Sequence, residues 1–170
     1  AALNTNIWAA LGLVYFWRAR ASQSLNLFYR FAGIGLLVAA LLSYLFTVFP
    51  LNPFWDTATD SSVIAATPWL NLLLLAYGLP ILMGVAVWRD TYIRGNAQKL
   101  VMLFIGFASF MFINIEIRHL WHGKLNFRQS ILEGELYTYS VVWLVLAIAA
   151  LLISSSAMAK QYLGNNFKAV

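Results

Sequence analysis

The chain has 170 residues, of which 62% are hydrophobic and 10% are charged, with a net charge of +5 and no cysteine. Soluble domains are about 45–50% apolar and about 25% charged, so this composition excludes a water-soluble fold, which would lack polar residues for its surface. The absence of cysteine from these residues excludes disulfides and thiolate sites within them. Several apolar runs approach or exceed the roughly 20 residues that cross a membrane as a helix. The composition therefore predicts an all-α, polytopic membrane protein.

Five apolar segments predict about five transmembrane helices. They lie at about residues 4–18, 28–49, 69–88, 100–118 and 136–158. The first is short and stops at Arg18 and Arg20, so it is either a clipped spanning helix or an interfacial one. The second contains Gly33 and Gly35, which we expect to allow close helix packing. It ends at Pro50, and a polar loop without basic residues follows.

The third segment carries signals for a helix start and for both membrane boundaries. Thr67 can cap the helix, and Pro68 suits the first helical position because its missing N–H would have no partner there. Trp69 and Trp88 place an indole at either end, as in the aromatic belts of membrane proteins. These residues predict a spanning helix over 69–88.

A break is predicted inside this third helix. Gly78 and Pro80 lie close together, and proline removes a backbone hydrogen bond and clashes with the preceding turn, so we expect a kink. Asn71 and Tyr77 would line a cavity beside the kink if the protein were a transporter, because irregular backbone in a membrane is tolerated next to water or protein. An ordinary packing kink is the alternative.

The distribution of charge predicts an orientation, since cytoplasmic loops of membrane proteins are rich in Lys and Arg. Basic residues on one predicted side are Arg18, Arg20, Arg30, Arg89, Arg94, Lys99, Lys160 and Lys168, and those on the other are Arg118, Lys124 and Arg128. Of the acidic residues, only Asp90 falls on the first side. This asymmetry predicts an outside N-terminus, a cytoplasmic C-terminal tail and no binding of nucleic acid.

The stretch "FINIEIRHLWHGK", residues 112–124, places one glutamate, one arginine and two histidines within seven positions at the end of the fourth apolar segment. On a continuous helix, Glu116 and His119 share a face, as do His119 and His122. Glu-x-x-His can present metal ligands, but helical-bundle sites need a second such pair and the chain has none, so no metal is predicted. Glu116 and Arg118 can be opposite charges anchored at the outer interface. A polar site for binding or proton handling is the other interpretation.

Further polar residues are predicted on the same outer side. The segment 119–135 mixes aromatic residues such as Trp121 with charges, and it is either an amphipathic interfacial segment or a simple connection. Glu133 and Glu135 open the fifth helix, where carboxylates interact favourably with the helix dipole. Together with Glu116 and the two histidines they are candidate acid, base or metal groups, and Arg118, Trp121, Asn71 and Tyr77 are candidate substrate-binding residues.

Three blocks of the sequence are similar to a known family. "NLLLLAYGLP" (71–80), "NIEIRHLWHG" (114–123) and "GELYTYSVVWLVLAIAALL" (134–152) resemble the bacterial membrane-protein family called domain of unknown function 2339. The resemblance implies a large inner-membrane protein with many spanning helices, of which these residues would be a portion near the C-terminal end. It carries over no catalytic residue and no cofactor.

Two functional hypotheses follow from these observations. The first is a transport or scaffolding role in a bacterial envelope membrane assembly. The alternative is a membrane-embedded enzyme acting on a lipid-linked or glycan substrate at the outer interface. The expected location is the bacterial inner membrane, and the expected partners are the lipid bilayer and further transmembrane helices of a longer parent chain or of other subunits. No cofactor is predicted.

Overall fold

The computed structural model describes residues 2–50, 52, 71–122 and 130–155, and they are helical with short connections. The helices are α1 (Ala2–Ala21), α2 (Asn26–Val48), α3 (Leu79–Trp88), α4 (Asn96–His122) and α5 (Glu133–Ser155), and a π-helical turn, Leu74–Gly78, precedes α3. The all-α prediction is confirmed. Several residues used in the predictions lie outside the described part: Asp56, Asp60, Thr67, Pro68, Trp69, Lys124, Arg128, Lys160 and Lys168.

Helix α4 extends beyond the apolar segment that predicted it. α4 has 27 residues and begins at Asn96, before the predicted start at residue 100, and it continues to His122. Hydropathy marks the part of a helix that suits the membrane, whereas polar residues such as those at 96–99 are equally compatible with helical backbone. Both histidines are therefore on regular helix.

Three helices among the described residues are long and apolar enough to cross a membrane, namely α2, α4 and the part of α5 up to Leu152. The segment Leu74–Trp88 is apolar but shorter. α1 does not meet the same requirement of length and composition, because it has polar residues near both ends. Membrane crossing by α1 and by the third helix stays a prediction.

The chain divides into two compact units, Ala1–Gln129 and Ser130–Val170. The first unit contains α1 to α4, and the second contains α5. In the first unit, buried residues of α2, the π turn and α4 form one apolar cluster with Tyr44, Val48, Leu73, Tyr77, Ala108 and Ile115 at its centre. A second cluster joins Phe16 of α1 to Val87 and Ile93.

Glycines allow α1 and α2 to approach closely. A Cβ atom on Gly33 would lie 2.7 Å from the ring of Phe16 and 3.2 Å from the backbone oxygen of Gly12, and Phe16 is fully buried. The expected packing role is therefore found at Gly33. It is not found at Gly35, where an added Cβ would meet nothing within 4 Å, because this residue lies on another face of α2.

The predicted break in the third helix takes the form of the π turn. The N–H of Leu79 donates to the oxygen of Leu74, five residues back, and Pro80 follows at the start of α3. Proline has no N–H to donate and its ring clashes with the carbonyl four residues earlier, so a widened turn just before Pro80 relieves that clash. Pro80 thus fixes where the helix changes its geometry.

One end of the first unit is held together by a basic and aromatic cluster. Arg20 forms an ion pair with Asp90, and its guanidinium lies 5.6 Å from the centre of the Tyr92 ring. The Arg30 guanidinium lies 4.9 Å from the same ring, and Asn26 donates to the Tyr92 hydroxyl at 3.1 Å. The end of α1, the start of α2 and the α3–α4 connection therefore meet, and their position on one side of the membrane stays a prediction.

The contact at Gly33 makes a testable prediction. Gly33→Ala should lower the free energy of unfolding by about 1–3 kcal/mol, because the added methyl group overpacks the contact with the buried Phe16 ring. Gly35→Ala is the matched control and should be neutral or slightly stabilising, since alanine has the higher helix propensity. Unfolding of the two variants in detergent micelles measures the difference. Equal stability of the two would contradict the packing role of Gly33.

Candidate functional site

Two ionisable residues of α4 are buried one helical turn apart. The side chains of Glu116 and His119 are 1% and 2% exposed, and Glu116 Oε2 lies 3.7 Å from His119 Nδ1. Groups that can carry charge are almost never fully buried unless they are paired. Their burial side by side shows that this turn of α4 faces the protein interior and that the two groups share one polar environment.

Asn71 joins this pair from another part of the chain. Its Oδ1 accepts hydrogen bonds from the backbone N–H groups of Leu73 at 2.8 Å and Leu74 at 3.3 Å, as the side chain of an N-cap residue does. Its Nδ2 lies 3.4 Å from Glu116 Oε2 and 3.2 Å from His119 Nδ1. The first turn of the third helix and the C-terminal part of α4 are thus tied together by a single amide.

The capping bonds fix the orientation of the Asn71 amide. Exchanging its oxygen and nitrogen would place two hydrogen donors against the N–H groups of Leu73 and Leu74, so Nδ2 must face Glu116 and His119. In this arrangement His119 Nδ1 accepts the amide hydrogen, which assigns the ring hydrogen to Nε2. Among the described residues, His119 Nε2 has no hydrogen-bond partner although it is buried. The cluster therefore has one unused donor.

The spacing of Lys99 and Glu116 along α4 is close to the thickness of a membrane core. The two residues are separated by 17 residues, which corresponds to about 26 Å at about 1.5 Å per residue. The hydrocarbon core is about 30 Å thick, and α4 is long and apolar enough to cross it. The side chains of Glu116 and His119 are buried in the protein, which limits their access to water and raises the importance of each hydrogen bond.

Two tyrosines extend the same interface between the third helix and α4. The rings of Tyr44 and Tyr77 have an edge-to-face arrangement with centroids 6.4 Å apart, and both residues belong to the core cluster with Leu73 and Ile115. Both hydroxyl groups are buried without a hydrogen-bond partner among the described residues. Since most buried polar groups in native structures are hydrogen-bonded, these two hydroxyls are unusual in the apolar core.

The other candidates on α4 have different surroundings. Arg118 is buried, but it is two residues from Glu116, and residues two apart on a helix do not face each other. His122 lies one turn beyond His119 and is half-buried, while Trp121 is exposed. The predicted sharing of a helix face between Glu116, His119 and His122 is therefore present, and Glu116 and His119 are the pair that the structure brings close to Asn71.

The two glutamates of the second unit have local structural roles. Glu135 Oε2 accepts a hydrogen bond from the backbone N–H of Leu132 at 3.3 Å, and Oε1 accepts one from the hydroxyl of Tyr139 at 3.2 Å. Glu133 is exposed in the first turn of α5. Both carboxylates lie at the N-terminus of the helix, where the helix dipole favours negative charge. This agrees with the expected structural reason for their position.

A cavity of about 210 Å³ lies elsewhere in the first unit. Its lining includes Thr5, Leu41 and Pro80, but not Asn71 or Tyr77. Asn71 lies in the polar cluster and Tyr77 in the apolar core, and their lining of a transporter cavity stays a prediction. No group of three or more His, Asp or Glu side chains that could hold a metal ion occurs within residues 2–50, 71–122 and 130–155.

Sequence reasoning missed that Asn71 and the Glu116–His119 pair form one site. The contact joins residues 45 and 48 positions apart, and nothing in the spacing of either stretch refers to the other. A usable signal was present, because asparagine is a preferred N-cap residue and Asn71 directly precedes an apolar run.

Comparisons with known proteins give one family. The family model described as "Predicted membrane protein (DUF2339)" matches residues 1–163. The match extends well beyond the three blocks that carried the resemblance and includes α1 and α2. No curated protein and no solved structure matches the chain. The family description supports placement in a membrane and contact with the lipid bilayer.

The amide contact can be tested by exchanging its two partners. Asn71→Asp keeps an oxygen for the capping bonds but removes the donor to Glu116 and adds a second carboxylate beside it. The free energy of unfolding in detergent should fall by about 2 kcal/mol or more. Adding Glu116→Gln places the hydrogen-bond donor on residue 116 and the acceptor on residue 71. The double variant should therefore recover most of the lost free energy of unfolding. A double variant whose loss equals the sum of the single losses would show that the two side chains do not interact.

Proposed function

Because the chain belongs to the DUF2339 family of predicted membrane proteins, we propose that it is part of a bacterial inner-membrane transport protein in which Glu116 and His119 handle a proton. The observation that carries this proposal is the buried pair of Glu116 and His119 on a helix of membrane-spanning length, together with its contact to Asn71. Ionisable residues at such positions are costly to bury, and in membrane proteins they mark ion pathways and proton relays.

The unused hydrogen-bonding groups favour transport over a purely scaffolding role. A scaffold needs its buried polar groups to be satisfied by one another, because an unpaired polar group in a membrane costs several kcal/mol. Among the described residues, His119 Nε2 and the hydroxyls of Tyr44 and Tyr77 have no partner. These groups can bind a water or a ligand during transport, and the π turn beside them is the type of irregular helix found at functional sites.

The chemistry proposed for the site is the transfer of one proton between two neighbouring groups. Glu116 Oε2 and His119 Nδ1 are 3.7 Å apart, and Asn71 contacts both. A proton on the pair neutralises the carboxylate or charges the imidazole, and either change alters what the Asn71 amide can donate to. Because the same amide caps the third helix, a change of protonation acts directly on the start of that helix.

The proposed orientation follows from the basic end of the first unit. Arg20, Arg30 and Arg94 lie at the end of the unit that we assign to the cytoplasm, since Lys and Arg are enriched in cytoplasmic loops. The N-terminus of α1 is then outside, and the cluster around Glu116 lies close to the outer boundary of the membrane. In this orientation protons reach the cluster from the cell envelope side.

The second hypothesis, an enzyme acting on a lipid-linked or glycan substrate, uses the same residues. Glu116 and His119 could then act as acid and base at the outer interface, and Glu133, Glu135 and His122 stay candidates for the same reaction. We favour transport because Glu116 and His119 are almost completely buried, which suits the passage of a proton better than the approach of a bulky lipid-linked substrate.

Proton movement through the protein tests the proposal without knowledge of a transported substrate. The full chain is reconstituted in vesicles that contain a pH-sensitive dye, and a potassium gradient with valinomycin sets a negative potential inside. We expect proton uptake that Glu116→Gln and His119→Gln each reduce at least about tenfold, as the loss of an essential proton-transfer group does. The control Glu133→Gln removes an exposed carboxylate and should keep the original rate.

Two results would count against this proposal. Uptake no faster than that of protein-free vesicles would reject proton transport by this chain. Uptake that is unchanged in both Glu116→Gln and His119→Gln would remove the cluster from the pathway. Folding of each variant is checked by its melting temperature in the same lipid, so that a loss of rate is not confused with a loss of protein.

A further inference from the structure

The apolar cavity of the first unit begins close to the basic and aromatic cluster. Ile93, which follows Tyr92 directly, lines the cavity together with Ala97 of α4 and Ile34 of α2. Ile34 is four residues from Arg30 and therefore lies on the same face of α2. Arg30 is thus one helical turn from the cavity lining on α2, and it stacks on Tyr92, the neighbour of the lining residue Ile93. The lining also includes Pro80, which follows the π turn.

The cavity has the dimensions and the lining of a site for a hydrocarbon chain. Along α2 its lining runs from Ile34 to Leu41, and along α4 from Ala97 to Phe104, which is about 10 Å on either helix at about 1.5 Å per residue. Its volume of about 210 Å³ exceeds the roughly 150 Å³ of an apolar cavity that holds a benzene ring. An apolar chain inserted from the membrane would fill it parallel to the helices.

The end of the cavity at Ile93, which we call its mouth, carries positive charge and unused hydrogen donors. The Arg30 side chain is held over the Tyr92 ring, and no hydrogen bond from its guanidinium is found among the described residues. The Tyr92 hydroxyl accepts from Asn26, which leaves its own hydrogen available. Arg94, two residues after Tyr92, is exposed. Asp90, the acidic residue of the same α3–α4 connection, is paired with Arg20. The charge that remains at the mouth is positive.

From this combination we propose that the cavity binds one acyl chain of an anionic phospholipid whose phosphate is held by Arg30 and the Tyr92 hydroxyl. The guanidinium fork matches the geometry of phosphate oxygens, and its stacking on Tyr92 holds it in place before the lipid arrives. A zwitterionic phospholipid has the same acyl chains, but its own cation competes with Arg30 for the phosphate. The site therefore selects for net negative charge. The proposal does not depend on proton transport.

The first arm of the test compares lipids on the complete chain purified in detergent. Phosphatidylglycerol and phosphatidylcholine with identical acyl chains are titrated separately, and binding is followed by native mass spectrometry and by melting temperature. We expect one tightly bound phosphatidylglycerol, with phosphatidylcholine binding at least about tenfold more weakly. Inorganic phosphate alone should give no stabilisation. Equal affinity for the two lipids, or full stabilisation by phosphate, would overturn the proposal.

The second arm uses two pairs of matched variants. Arg30→Gln should weaken binding of phosphatidylglycerol about tenfold or more, because it removes a charged hydrogen bond to the phosphate. Arg18→Gln removes the same charge from the same end of the unit and should change the affinity less than about twofold. Ala97→Leu fills the cavity from its lining and should also weaken binding, whereas Ala86→Leu, on an exposed face of α3, should not.

The outcomes separate a specific site from general attraction. If Arg30→Gln and Arg18→Gln weaken binding equally, the basic end attracts anionic lipid without a site and the proposal is wrong. If Ala97→Leu leaves the affinity unchanged, the acyl chain does not enter the cavity and the proposal is also wrong. The melting temperature of each lipid-free variant shows whether it is folded before lipid is added.

Discussion

The hydrogen bonds of Asn71 are the interaction on which the arrangement of the first unit depends. In a membrane, backbone groups at the start of a helix cannot be left to water, so the N–H groups of Leu73 and Leu74 need an internal acceptor. The same restriction applies to Glu116, which needs a donor. Asn71 meets both requirements with one side chain, through Oδ1 for the backbone and Nδ2 for the carboxylate. The start of the third helix is thereby held by the contacts of Asn71 with Glu116 and His119 of α4.

The helices and the site could be predicted from the sequence to different extents. The apolar runs indicated where helices lie, and the Gly78–Pro80 pair indicated where the third helix is interrupted. The amphipathic pattern that usually identifies an inward face is weak here, because a helix that is apolar nearly all round gives no stripe to read. The rotation of α4 that turns Glu116 and His119 towards Asn71 is set by tertiary packing, and so is the outward position of Gly35. The cavity beside Ile93 likewise depends on how four helices meet.

The ionisable side chains at the two ends of the first unit have opposite surroundings. At the basic end, Arg30 stacks on an aromatic ring and Arg20 is paired with Asp90, and both arginines are exposed. At the other end, Glu116 and His119 are buried and depend on donors and acceptors supplied by the protein. An exposed charge is also stabilised by water, whereas a buried polar group has only its protein partners. The buried end thus depends on Asn71 in a way that the basic end does not depend on any single side chain.

The π turn gives the dependence of Glu116 and His119 on Asn71 a structural consequence. It lies between Asn71 and α3, and α3 is fixed against α4 where Gly84 approaches Ile105 so closely that an added Cβ would lie 2.9 Å from it. Converting the π turn to regular helix removes one residue from the turn, which rotates the preceding backbone by about 100° relative to α3. Asn71 would then leave Glu116 and His119 while α3 stays in place. Relaxation of the π turn would therefore move the start of the third helix without disturbing the packing of α3 on α4.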